Sequence, residues 1–462
     1  MRHDLWGNPV TAANDRAREA LDGIVSSYLG FRLDTGDYLK AAFEADPEMP
    51  LALAWRGCFW LLFCTPSMTK RALKDRDAAK AIMDRGGCNR REALHIEALD
   101  QWCHGSWEGA IRAWETILLE WPRDPMALRL AHYAHFYVAG GDAMRRSSGR
   151  VLWAWDETVP GHGYVQAIHG FGCEEAGDYP TAERYCRRAV ELNPADIWGV
   201  HAMAHVMEMQ GRHHEGLGWI DANAGAWDGV TNYFRYHVWW HKALFALELG
   251  RHDQVLDLYD TRIRGEQTDE YLDITNGAAM LWRLEQDGVN VGDRWTELAE
   301  KSAGRARDHQ LCFAEVHYAM ALAAAGRADD IEVLVADMAT PSSNSESTQD
   351  NVRSAVGIAV VNGVAAARSG AHDRAVALLA PVRDRFRLLG GSHAQRDIFE
   401  RILLESAIAN GNLLLARALV SERVTLKPSS PYTLRRQADV LAMAGQPEAA
   451  ARARMEAARL AA

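Results

Sequence analysis

Apolar residues along this chain recur at three- and four-residue intervals almost from end to end, the spacing that gathers them on one face of an α-helix. Alternating patterns of the strand type are nearly absent, and alanine, leucine, arginine and glutamate dominate the periodic runs. Glycines interrupt the pattern at a regular pace. Those at 105, 141, 177, 211, 250, 288, 326, 370, 411 and 445 mostly end one helical run and precede another. The intervals between them are 36, 36, 34, 39, 38, 38, 44, 41 and 34 residues. A glycine suits the tight turn between paired helices because it enters the left-handed region without a Cβ clash.

A period near 34 residues, with expansions, predicts stacked helix–turn–helix repeats of tetratricopeptide type. The clearest copy starts at Gly177-Asp178-Tyr179-Pro180 and stops at Asn193-Pro194; a second runs from Gly105 to Trp121-Pro122. The predicted fold is all-α, a curved α-solenoid of roughly ten helical hairpins with looser repeats after residue 250. The expected organisation is an N-terminal helical region at 1–104, core repeats at 105–339, a polar loop at 340–351 and C-terminal repeats at 352–462. Such an architecture also accommodates 462 residues, because each repeat packs only on its neighbours and no single large core is needed.

The first helix of each repeat (helix A) runs up to the glycine, and A helices of successive repeats line the concave face. That placement gives meaning to the histidines. Eleven of the 18 lie between 132 and 252. Two pairs have i, i+4 spacing, His201 with His205 and His237 with His241, and both fall on consecutive A helices. Each pair shares one helical face. Side by side, the two helices would offer four imidazoles to one divalent ion, zinc first, with iron or manganese as alternatives. The competing reading is a buried polar network around the neighbouring tryptophans.

Glu208, on the stripe of His201 and His205, is a candidate metal ligand, a partner that orients an imidazole, or a catalytic base. Trp198, Trp239 and Trp240 are candidate apolar walls, Trp240 against the substrate. His309, in Arg307-Asp308-His309, and His317 are candidates for a facing wall from another A helix. The turn Gly390-Gly391-Ser392-His393, leading into Gln395-Arg396-Asp397, could present free N–H groups and Arg396 to an anion, with Gln395 and Asp397 beside it. A plain helix cap built on Ser392 explains the same residues. His135 and His169 read as satisfied core residues, and His213, His214, His252 and His372 as exposed turn positions.

Charge and composition narrow the partners. A formal net charge of −11 argues against nucleic acid, since phosphate binding needs a basic surface. The arginines after 380, among them Arg383, Arg385, Arg387, Arg435 and Arg436, are interspersed with acids and read as a solvated helix surface. Seven scattered cysteines without a Cys-x-x-Cys predict reduced thiols. No apolar run is long enough for a membrane span, and the N-terminus lacks a signal-like segment, so a cytoplasmic setting is expected.

The segments Val200-His201-Ala202-Met203-Ala204-His205-Val206-Met207-Glu208-Met209, His237-Val238-Trp239-Trp240-His241 and Gly-Gly-Ser-His-Ala-Gln-Arg-Asp at 390–397 resemble the tetratricopeptide repeat protein 38 family. Arg307-Asp308-His309 with His317 and the stretch 288–295 fit the same family, in the same order along nearly the whole chain. The resemblance implies an α-solenoid and a cytosolic setting, and little about activity. His393 departs from the family form, which carries asparagine there, and His135 and His169 have tyrosine counterparts.

Three functions follow. One is a metal-dependent hydrolase acting on a small polar molecule, with Glu208, His309 and His317 as catalytic candidates and Gln395, Arg396, Asp397 and Trp240 contacting substrate. The second is a non-catalytic repeat scaffold that binds a peptide or protein. The third is a sensor using the same site. A homodimer and a monomer are both compatible with the sequence.

Overall fold

The structure, a computed structural model, describes residues 2–138, 140–342 and 347–462. Helices paired by short turns run from Asp15–Leu29 to Pro447–Ala461. Among the described residues the named strands are Arg2–His3 and Pro9–Val10, one two-residue antiparallel pair. The chain is an all-α solenoid of tetratricopeptide-like helical hairpins. No helix among the described residues is long and apolar enough to cross a membrane.

Nine of the ten ruler glycines adopt φ between 67° and 81°, and each lies in the turn between two helices. The exception is instructive. Gly140, not Gly141, takes the left-handed turn, with φ 77°. Gly141 begins the next helix, where a Cβ would lie 2.2 Å from the Glu175 carbonyl oxygen. It is therefore a close-packing glycine, and the ruler shifts there by one residue.

Beyond residue 250 the pairing loosens. π-Helical turns occupy Tyr259–Ile263 and Arg353–Gly357, and a 3-10 stretch covers Ala380–Leu389. The expected loop at 340–351 is shorter than its composition suggested. Ser347 caps a helix at Thr348–Val352 by accepting from the Asp350 N–H, while residues 343–346 lie outside the described residues.

The superhelix winds far enough for residues 240–242 positions apart to touch. Arg305 donates to the Phe63 and Cys64 carbonyls, and Thr69 donates to Gln310 at 2.9 Å. The C-terminal helices cross the inner face of the middle repeats. There Lys427 reaches Glu208 (3.1 Å), Ser430 donates to Glu248 (2.9 Å) and Arg435 pairs with Asp287 (3.0 Å). Arg435 and Arg436 are accordingly half-buried ion-pair partners, not the solvated surface their composition suggested; Arg383 likewise bonds Glu400. The inner face of the middle repeats is thus largely filled by the chain itself.

Candidate metal centre

Two consecutive A helices build the site. Asp196 caps helix Ile197–Met209, accepting from the N–H groups of Trp198 and Gly199. Helix Phe234–Glu248 packs beside it, and both have nearly continuous buried faces. His201, His205, His237 and His241 are all at most 3 % exposed. Their Nε2 atoms form a chain of contacts, His205 to His201 at 2.9 Å, His201 to His237 at 3.1 Å and His237 to His241 at 3.3 Å. One ligand nitrogen from each ring can be chosen so that all four lie within 4.8 Å of one another.

Hydrogen bonding alone satisfies this arrangement poorly. A neutral imidazole nitrogen carries one proton or one lone pair. His201 and His237 each use the same Nε2 in two contacts, so at most two of the three can be full hydrogen bonds. A central cation would accept all four lone pairs. Bonds of about 2.0–2.1 Å set ligand nitrogens about 3.3 Å apart in a tetrahedron and about 3.0 Å apart at right angles. The three observed separations fall in and around that range.

Electrostatics favours the same chemistry. Burial, followed by the mutual proximity of the rings, holds His201 and His205 well below the ordinary imidazole pKa; His237 is lowered by burial and His241. These rings are neutral at pH 7, the form a metal binds. Their outer nitrogens face oxygens on three sides. Asn276 Oδ1 lies 3.2 Å from His237 Nδ1, Glu174 Oε2 lies 3.7 Å from His205 Nδ1, and Glu208 Oε2 lies 3.7 Å from His241 Nδ1. Such partners fix ring orientation around a metal. Glu174, Glu175 and His205 form a second group whose ligand atoms converge, on the Nδ1 side of His205. Burial and the charges of Glu175 and Glu208 raise the Glu174 carboxyl far above its ordinary range. That shift favours its protonated form, which suits a hydrogen bond to His205 better than a cation.

A cavity of about 440 Å³ opens above the rings. His201, His205 and His237 form its floor, and Phe31, Phe59, Trp198 and Phe234 form much of its wall. The N-terminal helices close one side. Phe31 stacks on Phe234 at 4.4 Å and its carbonyl accepts from Asn232 N–H at 2.7 Å. On the other side stand Tyr133, Tyr137 and Tyr271, whose hydroxyls meet at 3.1–3.2 Å, with Glu270 and Asp273. Burial pushes the Glu270 carboxyl up to about 8 and that of Asp273 to about 7.

The remaining candidates fall elsewhere. Glu208 points away from the cavity. It binds Lys427, and although burial alone would raise its pKa, Lys427 and His241 bring it to about 2, so it orients His241 and is badly placed as a base over the floor. Trp240 stacks on His237 at 5.4 Å but is fully buried behind it and does not line the cavity. His309 sits in the turn before helix Cys312–Ala324, with φ 51°, and its Nε2 lies 3.0 Å from Asp337. It does not join the four histidines. His317 is buried on that helix; its Nδ1 donates to the Phe313 carbonyl at 2.7 Å, and burial lowers its pKa to about 4. It does not line the cavity either.

The 390–397 turn forms a helix cap, and His393, Arg396 and Asp397 line a separate cavity of about 340 Å³ with Arg383, Arg387, Arg423 and Lys427. Ser392 and Gln395 form a reciprocal capping box, and the His393 N–H donates to Glu175 at 3.1 Å. Arg396 donates to the Gly391 carbonyl and lies 3.7 Å from Glu175, while Asp397 pairs with Arg423 at 2.8 Å. Of this turn, only Gln395 reaches the cavity above the histidines. His135 and His169 are satisfied as expected, by Glu115 at 2.9 Å and by Ser148 at 3.0 Å. His213, expected at an exposed turn, is 5 % exposed because the C-terminal helices cover it. Asn276 and Glu174 escaped sequence reasoning. Their only signal was an amide and a carboxylate among the buried positions of their helices.

No family profile matches the chain. Solved structures with a similar course include a human IFIT1 dimer with PPP-AAAA, at 14 % identity and TM-score 0.41, over 99 % of this chain and 97 % of that one. Yeast Tom70 aligns at 12 % identity and TM-score 0.36, over 94 % and 96 %. A tetratricopeptide repeat protein from Parabacteroides merdae aligns at 13 % identity and TM-score 0.29, over 65 % and 99 %. What these proteins share with the chain is confined to the helical-repeat course of the backbone.

Proposed function

We propose that this protein is a helical-repeat binding protein whose inner cavity receives a ligand above a four-histidine divalent metal centre. The observation that carries the reading is the run of three Nε2 contacts at 2.9–3.3 Å among fully buried rings, which hydrogen bonds alone leave incomplete. Zinc suits four nitrogen ligands best, and iron or manganese would use the same rings with further ligands from the cavity side. The motifs at 200–209, 237–241 and 390–397 support membership of the tetratricopeptide repeat protein 38 family.

Binding is supported more directly than catalysis. Four protein nitrogens leave a four-coordinate ion no open position, and the expected base, Glu208, is turned away beneath Lys427. Metal-dependent hydrolysis is the narrower reading, and in this geometry Glu270 or Asp273, not Glu208, would stand on the cavity side to handle a proton. A peptide or protein partner is the ligand class that repeat architectures commonly take.

Elemental analysis of tag-free protein tests the centre, with the His201→Ala/His241→Ala variant beside the parent. The expected result is close to one transition-metal ion per chain in the parent and none in the variant. A parent that stays metal-free after incubation with zinc, iron(II) or manganese(II) would leave a scaffold with a buried polar network.

A further inference from the structure

Helix Pro125–Val138 presents two polar side chains to the cavity, neither of them paired with an anion among the described residues. Arg129 and His132, on one face of that helix, both line the cavity and are 7 % and 2 % exposed. Neither ring nitrogen of His132 has a hydrogen-bond partner. Arg129 forms no ion pair within 4.0 Å among the described residues; the neutral Tyr28 hydroxyl is its hydrogen-bonding neighbour, and Asp196 acts on it only from farther away. Its guanidinium rests over Trp198 at 4.0 Å and Phe31 at 4.8 Å, contacts that occupy its face and leave N–H edges for an acceptor.

Three other buried arginines have closer partners. Arg91 pairs with Asp4 and Asp124, Arg353 pairs with Glu315, and Arg283 donates to the Ala279 and Ala394 carbonyls. A buried guanidinium without an anion is costly, and so is a buried imidazole with both nitrogens idle. One ligand group could satisfy both.

We propose that the cavity recognises a carboxylate on an aromatic or branched apolar body, free or as the C-terminal residue of a peptide, held by Arg129 and His132. Each donates an N–H to the carboxylate, and Phe31, Phe59, Trp198 and Phe234 receive the apolar body. A carboxylate fits better than a phosphate because, of the three arginines lining the cavity, Arg56 is already paired with Asp75 and Arg32 lies 3.9 Å from Asp34, which leaves Arg129 as the one cation without an ion pair. This names the ligand class of the reading above. It rests on that reading's cavity and does not require its ion.

Titration calorimetry on the full chain tests it, with N-acetyl-phenylalanine against its amide, and a Phe-terminated tetrapeptide with free and amidated ends. The free acids should bind, each at least about 10-fold more tightly than its amide, as expected for a charged hydrogen-bonded anchor. Arg129→Gln should abolish that preference, and Arg129→Lys should keep part of it. Tighter binding by the peptide acid would mark a peptide end as the natural source, and tighter binding by the single residue a free acid. Equal binding of acid and amide, no binding of any probe at millimolar concentration, or an undiminished acid preference in Arg129→Gln would overturn the proposal. Metal content measured on the same samples separates this outcome from failure of the histidine centre. If Arg129→Gln does not fold, the acid-against-amide comparison in the parent decides.

Discussion

Burial of uncharged histidines predicts that the metal-free protein loses stability in acid at the site itself, and the size of the effect can be worked from the structure. His201, His205 and His237 have pKa values lowered well below 6.5, first by burial and then by neighbouring charges. The folded chain keeps these rings neutral while the unfolded chain protonates them near pH 6.5. Below that value the unfolded state binds more protons, so stability falls as pH falls. Between pH 7 and 5 each such ring contributes up to about 2 kcal/mol, and the three together up to about 6 kcal/mol. Asp196, Glu270 and Asp273 act in the opposite sense, because burial raises their carboxyls to about 7, 8 and 7 and the folded state then takes up the extra proton. The clean measurement is therefore a difference. Urea midpoints of chelator-treated parent and His205→Phe, a ring of similar shape that cannot titrate, are compared at pH 7 and pH 5. The variant should lose less stability than the parent across that interval, by up to about 2 kcal/mol. Identical losses would show that His205 is protonated or solvated in the folded state, and the case for its neutral nitrogen facing an ion would fail.

Two further outcomes follow from contacts around the centre and from the outer packing. Asn276→Leu removes the oxygen 3.2 Å from His237 Nδ1 and should weaken zinc binding about 10- to 100-fold, read by competition with a chromophoric chelator, while the fold persists by circular dichroism. Arg353 and Glu315 form a fully buried fork with bonds of 2.7–3.0 Å; Arg353→Met strands the carboxylate and should cost about 3–5 kcal/mol in urea unfolding, most of which Arg353→Met/Glu315→Leu restores.

Much of this protein is legible one turn at a time. Helical periodicity, the glycine ruler and the i, i+4 histidine pairs are local properties, and a helix brings residues four apart together whatever lies around it. The A-helix assignment then put both pairs on neighbouring elements, which is why the histidine cluster could be anticipated. The one-residue error at Gly141 has a non-local cause. Its neighbour Gly140 makes the turn, and Gly141 is required by the backbone of Glu175 from the next repeat.

What the sequence could not decide is what lies across the superhelix. Whether Arg396 meets a ligand or Glu175, whether Glu208 faces the cavity or Lys427, and whether His213 is wet or covered depend on how far the solenoid winds. That winding sums small rotations over many repeats, and no single segment encodes it. The same closure brings Phe31 from the N-terminal helices against Phe234, walls one side of the cavity over the histidines and leaves Arg129 and His132 facing into it. Local spacing determined which side chains share a helix face. Only the closed superhelix determined which of them are left without a partner.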